Sequence, residues 1–192
     1  MARVDKFGNK CALCVRVNIR LGANLSFNVN TAVENAQRLY GENGICFETP
    51  SVQSVALSAQ DLGRLSVVNG ECNWSQESAE QKDLFDLAGA SPFAGITAVF
   101  IGGLQTNTGP LNGCAGHAPY RAGVMISSAC TPWTLSHEVG HVLLGPFYSP
   151  VHTKDSNNIM YEKSSTFTQA SKPSFDFAQL DQIRRSAYVS SC

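Results

Sequence analysis

The chain has 192 residues, of which 15% are charged, and a formal net charge of -1. That length supports one domain with a substantial core but not two large ones. No basic stripe interleaved with aromatics is present, which argues against a nucleic-acid partner, and no apolar run approaches the roughly 20 residues that span a membrane.

From the N-terminus, Met1 to Lys6 holds no apolar signal core. The chain is therefore expected either to bypass the usual export route or to be a mature or excised domain of a larger protein. Cys14 to Leu21 alternates apolar and polar residues (Val15, Val17, Ile19, Leu21) and predicts a strand. Asn30 or Thr31 then caps a helix running to about Tyr40, with Gly41 as its stop. Ile45 to Glu48 and Ser54 to Leu57 read as short strands. Glu77 to Leu87 reads as a helix, with Trp74 anchoring the loop before it. The apolar run from Gly95 to Leu104 predicts a buried strand. Residues 105–121, rich in Gly, Pro, Asn and Thr, predict a long loop. Ala122 to Ser128 predicts a further strand. A last helix starts at Ser174 or Asp176, with Phe177, Leu180, Ile183 and Ala187 on one face. The order of elements predicts an α+β fold in a single domain.

Seven cysteines are many for this length. Only Cys11 and Cys14 form a C-x-x-C pair, with no second pair at metal-ligand spacing. Disulfides in an oxidising compartment fit better, which makes the protein secreted, extracellular or periplasmic. Cys114 and Cys130, bracketing a short segment, are expected to be bridged. The pairing of Cys11, Cys14, Cys46, Cys72 and Cys192 is left open, and the odd count leaves one cysteine over. Asn24-Leu25-Ser26 and Asn73-Trp74-Ser75 fit the glycosylation pattern, which matters only in a eukaryotic secretory pathway.

The chemistry-bearing stretch is His137-Glu138-Val139-Gly140-His141. Histidines four apart on a helix share a face, so both imidazoles can hold one metal ion. Glu138 points about 100° round the helix, away from the ligand pair but within reach of an activated water. Apolar residues on both sides continue a buried helical face, and Gly145-Pro146 stops the helix. Neutral imidazoles, an open coordination position and an adjacent carboxylate are what a zinc hydrolase requires.

A catalytic zinc takes a third protein ligand. His152 follows downstream, then Asp155 and Asn158-Ile159-Met160-Tyr161. Here the chain resembles the metzincins, zinc endopeptidases whose motif H-E-x-x-H-x-x-G-x-x-H supplies three histidines above a methionine turn. The family's glycine would fall at Leu144 and its third histidine at Phe147. An insertion of about five residues, a common loop length, restores the match and makes His152 the third ligand. Asp155 (as in aspzincins) and Glu162 (as in gluzincins) stay open as alternatives. The resemblance implies a twisted mixed sheet with an edge strand that receives substrate, an active-site helix and a C-terminal helix. It also implies an upper part of about residues 1–145 and a lower part of about 146–192. Met160 would lie under the metal and Tyr161 beside it as a structural residue. The strand Ala122 to Ser128 is the expected substrate edge. His117 and Tyr148 are possible substrate-side residues, although His117 reads more simply as an exposed loop histidine. Cys11 or Cys14 as a latency switch finds no motif to support it.

The function expected is that of a monomeric zinc metalloendopeptidase acting on proteins or peptides, with Glu138 as general base. The alternatives are a zinc amidase on cell-wall peptide, an effector or toxin domain attacking another cell, and an interaction module with a structural zinc. Glu138 speaks against the last, since a structural site gains nothing from a base beside its metal.

Overall fold

The computed structural model describes residues 3–73, 75–89, 95–118 and 121–192. Trp74, expected to anchor a loop, lies outside the described residues. The elements in chain order are β1 (Arg3–Val4), β2 (Lys10–Cys11), β3 (Leu13–Leu21), α1 (Val29–Glu42), β4 (Ile45–Glu48), β5 (Val52–Ser54), α2 (Ala59–Arg64) and β6 (Val67–Asn69). They continue with α3 (Ala79–Leu87), β7 (Ile96–Ile101), β8 (Gly103–Thr106), β9 (Gly109–Pro110), β10 (Gly113–Cys114), β11 (Gly123–Ser127), α4 (Thr134–Leu144), α5 (Phe177–Arg184) and β12 (Val189–Ser191).

The main sheet is mixed, with order β10-β11-β7-β3-β12. β3 is its hub. It pairs in parallel with β7 along Val17–Leu21, with β4 along Leu13–Arg16 and with β5 along Ile19–Leu21. β11 is parallel to β7, whereas β10 and β12 run antiparallel to their neighbours. Both faces are covered, which is why β7 is buried throughout and apolar at every position but Thr97. Ile96, Ala98 and Phe100 join one core with residues of α1, α4 and α5. Val99 and Ile101 join a second core with Leu84 and Phe85 of α3. Buried Tyr40 of α1 donates its hydroxyl proton to the Ser136 carbonyl (3.2 Å), tying α1 to α4 at the residue before His137.

Several boundaries differ from expectation, each for a local reason. α1 is capped by Asn28, whose side chain accepts from the Asn30 N–H, and it runs through Gly41 to Glu42. Gly41 does not stop the helix; a Cβ there would lie 2.1 Å from the Asp5 carboxylate, so its role is close approach. The second short strand is shifted to Val52–Ser54. The apolar run of Gly95 to Leu104 is split at Gly102, after which β8 leaves to pair with β6 and β9. Within 105–121 the chain forms β9 and β10. α2, β6, β12 and the β1–β2 hairpin were not expected. α5 begins as anticipated, with Asp176 as its cap and Gln179 completing a capping box.

Two expectations are overturned. The edge of the sheet is β10, because Gly113 and Cys114 pair with Ile126 and Met125 and so cover β11. Ala122 to Ser128 is therefore an inner strand, buried along β11. The second is the Cys114–Cys130 bridge. The bonds present are Cys11–Cys46, Cys14–Cys192 and Cys72–Cys114, with Cys130 a buried free thiol. Cys114 shares the core of Met125, whereas Cys130 packs in the core of Val124 and Ile126. These cores lie on opposite faces of the sheet, and a disulfide cannot cross it. Disulfide-bonded Cys11 and Cys14 are likewise ruled out as a latency switch.

Non-reducing peptide mapping is expected to recover the three bonded pairs. Cys130 should alkylate only after unfolding, since burial pushes its thiol up to about 12. Recovery of a Cys114–Cys130 peptide would contradict this arrangement.

Candidate metal centre

α4 begins at Thr134 and ends where Gly145 takes a φ of +77°, a conformation that suits glycine and breaks the helix before Pro146. Its fourfold spacing puts His137 and His141 on one side, and the following loop returns His152 to the same point. The three Nε2 atoms lie 3.1 Å (His137–His141), 3.3 Å (His137–His152) and 3.1 Å (His141–His152) apart. Ligands at about 2.0–2.1 Å from a tetrahedral zinc are about 3.3–3.4 Å from one another.

The protonation of the cluster points the same way. The buried Nδ1 of His137 is 2.7 Å from the Ile159 carbonyl oxygen, a pure acceptor. Nδ1 therefore donates, leaving Nε2 with its lone pair toward the cluster. Burial pushes His137 down to about 4 and, with the neighbouring imidazoles, holds His141 well below the usual histidine value. Burial also lowers His152. Neutral imidazoles with converging lone pairs repel one another unless a cation lies between them. The donor set thus fits zinc.

The methionine turn organises this geometry. Asn158 accepts the Met160 N–H on its side-chain oxygen (2.8 Å) and donates its amide to Gln179 Oε1 (2.9 Å). The Met160 carbonyl accepts the Thr153 N–H, and the Thr153 carbonyl accepts the Glu162 N–H. The segment carrying His152 is therefore laced to the same turn whose Ile159 carbonyl holds His137. Met160 is fully buried beneath α4, where a Cβ on Gly140 would come 2.7 Å from its sulfur. Tyr161 packs against the core and sits 6.3 Å from the Phe167 ring, centroid to centroid.

Glu138 is buried beside the histidines, and burial alone pushes its carboxyl up to about 8. It lines a cleft of about 730 Å³ that also holds the three histidines. The edge strand passes directly over it: a Cβ on Gly113 would lie 2.7 Å from Glu138 Oε1. Tyr148 and Glu162 line the same cleft, but Glu162 is not within the ligand group. Asp155 forms a turn instead, accepting the Asn157 N–H at 2.9 Å. His117 is buried rather than exposed, with Nδ1 2.7 Å from the Ala118 carbonyl. It does not line the cleft. Its segment packs where Arg121 pairs with Glu77 and Asp86. Gly113, Gln179 and the Ile159 carbonyl escaped the sequence reading. Only Gln179 carried a signal, as the partner three residues after the cap in a capping box.

No family model matches the sequence, and a search of curated proteins finds no match. Solved structures do match in fold. Metalloproteinase-II from Bacteroides fragilis superposes with a TM-score of 0.55 at 12% identity, over 95% of this chain and 55% of that one. Archaemetzincin from Methanopyrus kandleri gives 0.53 at 11% identity, over 89% and 94%. This chain thus spans about half the length of the Bacteroides protein. The fold is shared with these two structures, and within it a histidine triad is able to hold a metal.

His152→Ala is expected to lose most bound zinc after dialysis, by metal analysis, while Asp155→Ala and Glu162→Ala keep it. The reverse pattern would move the third ligand.

Proposed function

We propose that this chain is a zinc-dependent peptidase in which His137, His141 and His152 hold the metal and Glu138 is the general base. The observation that carries the reading is the convergence of three Nε2 atoms within 3.3 Å beside a buried carboxylate, on a cleft bordered by a sheet edge. Zinc bound there would supply a Lewis acid that polarises the scissile carbonyl and makes water acidic enough to ionise near neutral pH.

The protein groups divide the remaining work. β10 is the outermost strand of its sheet, so an extended peptide can add beside it, as strands add to open edges. Glycine at 113 keeps that strand close over Glu138. Burial raises Glu138 toward the neutral form, and a cation held by the three neutral imidazoles would draw it back to the carboxylate a base requires. Glu138 then takes the proton of the attacking water and delivers it to the leaving amine nitrogen. The Ile159 carbonyl keeps His137 in the tautomer that offers Nε2.

Residues 1–192 are read as a single peptidase domain, divided about residue 145 by the cleft. Three disulfides, and the absence of a membrane-length apolar helix among the described residues, are compatible with an extracellular or periplasmic setting.

Glu138→Gln is expected to retain zinc and thermal stability and to lose about 10²–10⁴ in peptide hydrolysis rate. A variant cleaving at the parent rate would exclude this base. Gly113→Ala, which drives a methyl into Glu138, is expected to lower activity at least tenfold with zinc content unchanged; unaltered kcat/KM would show that the edge strand does not constrain the base.

A further inference from the structure

We infer that the Cys72–Cys114 disulfide is a redox clamp on the edge strand of the cleft, so that extended peptides are bound productively only while that bond is formed. This rests on the peptidase reading above and adds the group that regulates its substrate edge.

The bond restrains the strand at the point where the cleft needs it. β10 has two residues and two ladder pairs, Gly113 with Ile126 and Cys114 with Met125. Neighbouring side chains on a strand point to opposite faces of the sheet. On one face Gly113 meets Glu138 of α4, where a Cβ would lie 2.7 Å from the carboxylate oxygen. On the other, Cys114 enters the core of Met125, Leu84 and Phe85. Its bond to Cys72 therefore holds, from behind, the strand that passes over Glu138.

The flanks of β10 are tied without covalent bonds. Ser127 donates its N–H to the Asn112 carbonyl (2.9 Å) and its hydroxyl to the Leu111 carbonyl (2.8 Å). Buried Gln81 of α3 donates from Nε2 to the carbonyls of Glu71 (3.1 Å) and Gly116 (3.2 Å). These two backbone segments run so close that a Cβ on Gly116 would lie 1.7 Å from the Glu71 carbonyl oxygen. Breaking the disulfide thus loosens the residues between the ties and leaves the two sulfurs near one another. The fold persists, and the same pair closes again on oxidation.

Access selects this bond. Cys72 is exposed on the cleft, whereas Cys11–Cys46 is buried at both ends. Cys192 is also exposed, but its bond to Cys14 ties β12 to β3, and neither cysteine lines the cleft. A thiolate of an external dithiol attacks Cys72 Sγ, the Cys72–Cys114 bond breaks, and Cys114 leaves as a thiolate that takes up a proton. The second thiol of the reductant then displaces Cys72 as a thiol and leaves the reductant as a cyclic disulfide; two electrons and two protons pass to the protein. The histidines take no part, because His137 is held by the Ile159 carbonyl and the His152 segment by the bonds of Thr153. The reduced chain therefore keeps its metal ligands and loses its peptide-binding edge, which confines hydrolysis to oxidising surroundings.

The test compares zinc-loaded parent with Cys72→Ser and with Cys72→Ala/Cys114→Ala, and with itself after reduction by a phosphine and reoxidation by oxidised glutathione. Alkylation and peptide mapping identify the free cysteines at each stage. Each sample is assayed on an extended peptide and on a short reporter that spans only the scissile bond. Zinc content and hydrogen exchange are measured alongside. In both variants and in the reduced parent, KM for the extended peptide is expected to rise about tenfold or more, with kcat within about threefold and kcat/KM of the short reporter within about twofold. Exchange protection should be lost over residues 109–116 and kept in α4, with zinc content unchanged. Reoxidation should restore the parent's KM, and Cys72→Ser should not respond to it. An unchanged KM in both variants would overturn the inference. So would a parallel loss of zinc and of activity on both substrates, which marks the bond as merely structural. Failure of the oxidised, zinc-loaded parent to cleave either substrate would overturn the peptidase reading, while exchange over 109–116 still decides whether the bond clamps the strand.

Discussion

The hydrogen bond between His137 and the Ile159 carbonyl joins the two halves of the site. It fixes a tautomer on the helix and, at the same stroke, docks the turn beneath it. Without it the ring could present either nitrogen, and the lone pair that faces His141 and His152 would be lost to chance. The turn in turn holds Thr153, so the placement of His152 is set by backbone bonds to Met160 and Glu162 rather than by its own neighbours in sequence. One carbonyl therefore couples a rigid helix to a largely irregular segment that carries two isolated β-bridges and one short 3-10 helix.

Polar groups buried under this junction keep the turn in place. Asn158 satisfies the Met160 N–H and passes its amide to Gln179, which is buried and also caps its own helix. Such a network is stabilising only when every member is satisfied. Around it the chain packs two apolar cores on the two faces of one sheet, so α4 presses on one face while α3 seals the other. The disulfides follow the same division. Cys72–Cys114 pins the short edge strand to the loop after β6, and two more gather β2, β3, β4 and the C-terminus. A two-residue edge strand forms few ladder bonds, and the covalent link compensates for that brevity.

The strands β3 and β4 and the helices α4 and α5 were legible because their signals are local: alternation, helical spacing, a capping aspartate, a glycine-proline stop. What was not legible depended on which face a residue joined. Cys114 and Cys130 are near in sequence and apart in space, since the sheet lies between their cores. The edge position was misassigned for a related reason. Gly113-Cys114 is too short to register as a strand in a run of turn-forming residues, yet it covers β11 and becomes the border of the cleft. His117 has a loop composition around it and is nonetheless buried.

By itself, the sequence determined that two imidazoles share a helical face with a carboxylate beside them, because helical pitch is set by the backbone over a few residues. It also determined where that helix ends. Only the tertiary structure decided how His152, eleven positions on, comes within 3.1 Å of His141. The same is true of the disulfide partners and of the strand that borders the cleft. Each of these depends on long-range packing across a sheet, where the distance between two residues is set by the faces and turns between them and not by their separation along the chain.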